Sequence, residues 1–247
     1  ACPPLNVRFY SFGGTQHGPS GFPPVRGDGQ NLANPGDYRP FLRALLMAMD
    51  RWARDDVAAP LSVMPRIDEG TLVDWRQDAT GFPEIPGIAY PGIIQQPSLW
   101  DFGPRWESER IVDRQPPGRT ADYRVLAARC DPDGNELGCL LPPEVAVPVA
   151  TYTGWNLRSE AAGAANELVS LRGSYLPFPA TRSEREATGD PRPSVEERYT
   201  DLASYLEQLE QECRSLVAKG YLLEEDIERT IARERERVAT VFETFAR

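Results

Sequence analysis

Three features are scarce in this chain of 247 residues, and each excludes certain classes of protein or site. It contains no apolar run near the roughly 20 residues that a membrane-spanning helix needs, so membrane insertion is not expected. Positive charge is scarce, with 27 Lys and Arg residues against 37 Asp and Glu residues, and the formal net charge is −10. Such a surface repels phosphate backbones and anionic lipids, which argues against nucleic acid and membranes as partners.

Histidine and cysteine are also rare, with one and four copies respectively. A zinc site needs more ligands than isolated cysteines and the distant His17 supply, so no metal is expected. Cys130 and Cys139 flank the turn sequence Asp-Pro-Asp-Gly, and a hairpin there would bring them close together. A disulfide and a reduced pair both remain open.

Proline and glycine, by contrast, are abundant, and their 24 and 20 copies predict long irregular stretches. Residues 6–12 (NVRFYSF) have the apolar pattern of a short strand that ends at Gly13. After a loop, residues 34–56 predict an amphipathic helix, whose first N–H groups Asn34 or Asp37 can accept. The expected buried face consists of Leu42, Leu45, Leu46, Met49, Trp52 and Ala53.

The composition along the chain predicts three segments. Residues 1–58 contain the strand, the loop and the helix, and residues 59–193 form a proline- and glycine-rich extension with short strands. Residues 194–247 are expected to form an antiparallel helical hairpin. Within the extension, we expect a β-hairpin that turns at residues 132–135 and a short helix at residues 181–188.

The C-terminal segment has clear helix signals. Ser194 and Glu197 have the spacing of a capping box. Apolar residues then recur four and three apart through residues 195–216, with a break at Thr200, until Gly220 ends the helix. This seam can pack on the second helix of the hairpin or bind another protein as a non-catalytic interaction module. The short connection at Gly220 favours packing within the chain.

The only histidine lies in the segment GGTQHG, residues 13–18, directly after the predicted strand. Imidazole titrates near neutral pH and can act as a base, and the glycines permit close backbone approach. His17 is therefore a candidate catalytic residue, although a histidine without a catalytic role is the alternative. Gln16, Trp155 and Tyr175 are candidate substrate-binding residues, for which loop shaping or core packing is the alternative.

Longer stretches of the sequence carry a family resemblance. VRFYSFGGTQHG followed by NPGDYRPFLRALLMAMDRW resembles the last strand, catalytic-histidine loop and final helix of the α/β-hydrolase fold. Together with PEVAVPVATYTGWNLR, GSYLPFPATRSEREATGDPRPSVEERY and LVAKGYLLEEDIE, it is similar to the C-terminal part of a bacterial family described as alpha/beta hydrolase domain-containing proteins of undefined substrate. The resemblance covers nearly the whole chain and implies an α/β fold class.

The resemblance also implies a function. In this family a serine nucleophile lies in a G-x-S-x-G elbow upstream of the catalytic histidine, and no such motif occurs in this sequence. We therefore expect the chain to be the C-terminal portion of a serine hydrolase, inactive alone, whose N-terminal part supplies the serine. His17 would be the triad histidine, and the implied substrate is a small ester-like molecule cleaved at an acyl-ester bond. No cofactor is implied.

Overall fold

The computed structural model describes residues 4–245, in which short helices and strands alternate with long irregular connections. The helices are α1 (Arg39–Asp55), α2 (Gln77–Thr80), α3 (Trp106–Glu109), α4 (Pro143–Ala146), α5 (Arg182–Thr188), α6 (Val195–Arg198), α7 (Leu202–Ala218) and α8 (Ile227–Glu243). The strands are β1 (Leu32–Ala33), β2 (Leu72–Asp74), β3 (Ser98–Asp101), β4 (Gly118–Asp122), β5 (Leu126–Ala128), β6 (Ala150–Tyr152) and β7 (Ser174–Pro177). None of these helices is long and apolar enough to cross a membrane.

Within residues 4–245, the strands form three small antiparallel sheets. The largest has the order β1-β7-β6, while β2 pairs with β5 and β3 pairs with β4. In the largest sheet, Leu32 lies opposite Tyr175, which in turn lies opposite Tyr152. This sheet therefore joins the loop that follows residues 13–18 to parts of the chain more than 100 positions away.

Residues 6–12 do not form the regular strand that the sequence predicts. They form an extended segment with two isolated parallel bridges, between Tyr10 and Val63 and between Phe12 and Leu140. Ser11 donates its N–H to the carbonyl of Val63 and accepts the N–H of Leu140, both at 2.8 Å. Two irregular connections thus pair with this segment on both sides, and the proline-rich chain around them limits each pairing to a single bridge.

Helix α1 confirms the predicted helix but not its expected buried face. Its fully buried side chains are Phe41, Ala44 and Ala48. By contrast, Leu42, Leu46 and Met49 are 49%, 58% and 58% exposed, and Leu45 and Trp52 are half-buried. The alanines allow α1 to approach the core closely, where Phe41 packs on Phe12 with ring centroids 5.5 Å apart. The predicted buried face was therefore wrong, and Ala53, which was expected to be part of it, is exposed.

The predicted signals of the C-terminal helices are confirmed. Ser194 and Glu197 form a capping box, and the helix is interrupted between α6 and α7, beside Thr200. Gly220, with φ of +81°, follows α7 and begins the turn toward α8. The seam residues Val195, Tyr199, Leu206, Leu209, Cys213 and Leu216 are buried, and Leu202 is half-buried. The seam is used within the chain, so the hypothesis of an interaction module loses its proposed contact surface.

Candidate functional site

The segment of residues 13–18, which we call the His17 loop, follows directly after the bridged segment. Its first two glycines are required by their surroundings. Gly14 has φ of +62°, and a Cβ atom there would lie 2.9 Å from the side chain of Val145. A Cβ atom at Gly13 would lie 2.8 Å from Cβ of Cys139. The loop therefore begins in close contact with the β-hairpin around residues 130–139 and with α4.

Two side chains, the half-buried Glu136 and the fully buried Asn34, hold Gly14 by its backbone. The N–H of Gly14 donates to Oε2 of Glu136 at 3.0 Å, and its carbonyl accepts from Nδ2 of Asn34 at 2.9 Å. The same Nδ2 donates to the carbonyl of Thr153 at 3.0 Å, and Oδ1 of Asn34 accepts the N–H of Gly36 at 2.8 Å. Asn34 is fully buried, so it ties the His17 loop, the end of β6 and the approach to α1 together.

The remaining part of the loop is fixed by two further contacts. Gln16 accepts the N–H of Gly173 at 2.9 Å through Oε1 and donates to the carbonyl of Gly18 at 2.8 Å through Nε2. The hydroxyl of Tyr38, just before α1, donates to the carbonyl of His17 at 2.5 Å. The carbonyl of His17 is thereby held by a residue 21 positions away, and Gln16 joins the loop both to Gly18 and to the distant Gly173.

The residues that surround the base of α1 are also ion-paired. Glu144 is fully buried, and its Oε1 accepts the N–H of Asp37 at 3.2 Å and forms an ion pair with Nη2 of Arg233 at 3.1 Å. Arg233 also contacts Oδ2 of Asp37 at 3.4 Å and Oε1 of Glu234 at 2.9 Å. This cluster connects α8 and α4 to the residue that precedes Tyr38, and so supports the Tyr38 contact with the His17 loop.

The carboxyl group beneath the loop has an unusual electrostatic environment. Burial raises the pKa of Glu136, and the hydrogen bond from Gly14 only partly opposes this effect. Burial also raises the pKa of Cys130 and Cys139 to about 12, and both are free thiols. The hairpin predicted between them is confirmed, with a bridge between Cys130 and Glu136, but these cysteines do not form a disulfide. Cys2 lies outside the described residues.

The imidazole of His17 is solvent-exposed. Within residues 4–245, no hydrogen bond or ion pair is described for its ring nitrogens, whereas its carbonyl is held by Tyr38. A side chain in this state can accept or give a proton to a molecule that approaches the surface. The arrangement therefore combines a fixed backbone with an exposed imidazole.

The other predicted site residues lie in different surroundings. Both amide atoms of Gln16 are engaged in holding the loop. Trp155 packs against Phe82 and Tyr90 with ring centroids 5.4 Å and 5.5 Å away. Tyr175 lies in β7 and packs edge-to-face on Tyr152 at 5.3 Å. Burial raises the pKa of Tyr175 to about 12, so its hydroxyl stays neutral at ordinary pH.

The sequence did not identify Tyr38 and Glu136 as residues that hold the loop. Asn34 was predicted only as a helix cap, not as a contact of the loop. Their contacts join positions 21, 122 and 20 residues apart in the chain. No local pattern marks such pairs, because each depends on the tertiary fold. Within the described part of the chain, no group of three or more His, Cys, Asp or Glu side chains is placed to hold a metal ion.

Together these features define a mixed helix-and-strand domain that presents its only histidine from a fixed loop. A family model described as an alpha/beta hydrolase domain matches residues 6–232. Because the match covers well over half of the sequence, the chain belongs to the alpha/beta hydrolase domain family. The resemblance seen in the sequence is thereby confirmed. No curated protein and no solved structure matches the chain.

Proposed function

We propose that this chain is the C-terminal portion of a serine hydrolase with esterase-like activity, in which His17 is the general base. The observation that supports this proposal is the contrast within the His17 loop. Four side chains, those of Asn34, Tyr38, Glu136 and Gln16, fix its backbone, while the imidazole remains exposed. A general base must lie at a fixed distance and angle from the group whose proton it removes. A fixed loop backbone with an accessible imidazole meets this requirement.

The proposed role of His17 follows from acyl-transfer chemistry. The imidazole takes the proton of a serine hydroxyl as the serine oxygen attacks the acyl carbon, and the resulting imidazolium gives that proton to the leaving alcohol. It then acts in the same way on the water that releases the acyl group. The sequence contains no G-x-S-x-G motif, so the proposal assigns the serine to polypeptide outside these 247 residues.

The test uses the protein that the complete reading frame encodes. Its serine should react with a fluorophosphonate label, and it should hydrolyse p-nitrophenyl butyrate. His17→Ala should lower the turnover of the ester by about 10³-fold or more, because triad residues act as a unit. Asp28→Ala, at an exposed position of the long connection after the His17 loop, is the matched control and should leave turnover unchanged.

Two outcomes would contradict the proposal. Undiminished labelling and ester turnover in the His17→Ala protein would remove the role of His17. Full ester turnover by the 247-residue chain alone would show that the nucleophile lies within this sequence rather than outside it.

A further inference from the structure

The side chain of Tyr38 contacts the chain at two points, one before the His17 loop and one within it. Its ring stacks on the ring of Phe12, the residue directly before the loop, with centroids 5.7 Å apart and an interplanar angle of 27°. Its hydroxyl donates to the carbonyl of His17 at 2.5 Å. Because a tyrosine ring is rigid beyond its two side-chain torsions, these contacts together fix the distance between Phe12 and the backbone of His17.

The other contacts that hold the loop act on different residues. Asn34 and Glu136 bond to the backbone three positions before the histidine, and the amide group of Gln16 bonds to two glycines. In the part of the chain that the structure describes, the hydrogen bond from Tyr38 is the one described for His17 itself. The position of His17 therefore depends more directly on Tyr38 than on the other side chains that hold the loop.

Tyr38 is itself held by its attachment to α1. Its carbonyl accepts the N–H of Phe41 at 3.0 Å and the N–H of Leu42 at 3.3 Å, so it takes part in the first turn of the helix. Phe41 packs on Phe12 as well, so the ring of Phe12 contacts two aromatic rings that lie about one helical turn apart. The N–H of the residue before Tyr38 donates to the fully buried Glu144.

Holding the carbonyl of His17 also restricts its imidazole. The direction of this carbonyl is set by the backbone torsion ψ of His17, and the side-chain rotamers that a residue can adopt depend on its backbone torsions. A displacement of about 1 Å of a reacting group can lower the rate of a catalysed step by about 10²-fold. A hydroxyl that fixes the backbone can therefore affect the rate without contacting the substrate.

We propose that Tyr38 is a positioning residue for His17. Its hydroxyl holds the backbone of the loop in the conformation from which the imidazole takes the serine proton. This inference rests on the proposed function of His17 as the general base. The role assigned to Tyr38 involves the chemical step alone, so substrate binding should not depend on its hydroxyl.

Tyr38→Phe in the protein that the complete reading frame encodes is the first test, because it keeps the ring that stacks on Phe12 and removes only the hydroxyl. With p-nitrophenyl butyrate, kcat should fall about 10-fold and KM should change less than about two-fold. The midpoint of the pH profile of kcat should stay the same, since Tyr38 contacts the carbonyl of His17 and not its ring.

Tyr123→Phe is the matched control. Tyr123 is 53% exposed, and no hydrogen bond is described for its hydroxyl within residues 4–245. This variant should leave kcat, KM and the pH profile unchanged.

A second test needs no enzymatic activity. The N–H of Gly18 belongs to the same peptide group as the carbonyl that Tyr38 holds, so its NMR order parameter reports how firmly this group is fixed. In the 247-residue chain, Tyr38→Phe should lower this order parameter from about 0.85 to below about 0.6, and Tyr123→Phe should not change it. A Tm within about 4 °C of the original value would show that the variant is folded.

The outcomes separate this inference from the proposed function. An unchanged kcat in the Tyr38→Phe protein, while His17→Ala still abolishes turnover, would overturn the role of Tyr38 alone. Undiminished turnover in the His17→Ala protein would remove both roles. A loss of activity that lies in KM, that a shifted pH midpoint accounts for, or that leaves the Gly18 order parameter unchanged would also overturn the role of Tyr38.

Discussion

The His17 loop and the hairpin of residues 96–123, which we call the arm, differ in how they are attached to the molecule. The His17 loop contains no helix or strand, yet its backbone is hydrogen-bonded to Asn34, Tyr38 and Glu136, and its Gln16 side chain is hydrogen-bonded to Gly173. The arm contains β3, α3 and β4, but every hydrogen bond and ion pair described for it joins two residues of the arm.

The surface of the arm reflects this isolation. Leu99, Trp100 and Tyr123 are 38%, 50% and 53% exposed. Within the described residues, no buried core cluster includes a side chain of the arm. A two-stranded hairpin without a core of its own is only marginally stable in water. The comparison teaches that contacts with distant residues, rather than regular secondary structure, determine which positions are held in place.

Asn34→Ala should have the largest effect on the free energy of unfolding, because Asn34 holds the His17 loop in place. The change leaves the carbonyls of Gly14 and Thr153 and the N–H of Gly36 without their described partner in a buried region. Each unsatisfied buried group costs about 1–3 kcal/mol, so the free energy of unfolding should fall by about 3–5 kcal/mol. Urea denaturation followed by circular dichroism measures this loss.

The matched control is Asn6→Ala, because Asn6 is exposed. It should change the free energy of unfolding by less than about 0.5 kcal/mol. A loss below about 1 kcal/mol for Asn34→Ala would show that the His17 loop does not depend on this residue, and the contrast with the arm would then weaken.

Glu136→Gln should have a smaller effect, and the size of this effect depends on pH. Burial raises the pKa of Glu136 above the ordinary value of 4.5, so the folded protein holds this proton more tightly than the unfolded chain does. Below that ordinary value both states are protonated and Glu136 costs nothing. As pH rises above it, the unfolded chain releases the proton first, and the folded state becomes relatively less stable.

The glutamine variant removes this titration. Its free energy of unfolding relative to the original protein should therefore increase from pH 4 to pH 8. The neighbouring thiols of Cys130 and Cys139, with pKa values of about 12, stay neutral over this range. Glu234, whose pKa is also raised, titrates equally in both proteins and cancels in the difference. A difference that is constant with pH would show that Glu136 is not a buried titrating group.

The sequence predicted the locally determined parts of the fold. The helix α1, the turn at residues 132–135, the short helix α5 and the capping box at Ser194 each depend on residues only a few positions apart. The family resemblance added the fold class, which the match over residues 6–232 confirms. The catalytic role of His17 and the division into three segments remain predictions.

What the sequence could not provide is the set of distant contacts. The partners of the segment at residues 6–12 lie near residues 63 and 140, and no short-range pattern identifies them. The buried face of α1 was misjudged because close approach to Phe12 favours alanine over leucine, which depends on the packing partner. The arm was also not recognised, since its strands are short and β4 (GRTAD) has no apolar pattern.

Replacing residues 97–122 of the arm by a short Gly-Ser linker should have the smallest effect on stability, although it removes the most residues. The ends of the arm already meet, because Nε2 of Gln96 donates to the carbonyl of Tyr123 at 3.0 Å, so the linker has little distance to span. The arm's described hydrogen bonds and ion pairs are internal, so the free energy of unfolding should change by less than about 1 kcal/mol. Urea denaturation measures this value, and amide NMR spectra should show unchanged resonances for the His17 loop. A loss above about 2 kcal/mol would mean that the arm stabilises the remaining chain and is not the detached region that its contacts indicate.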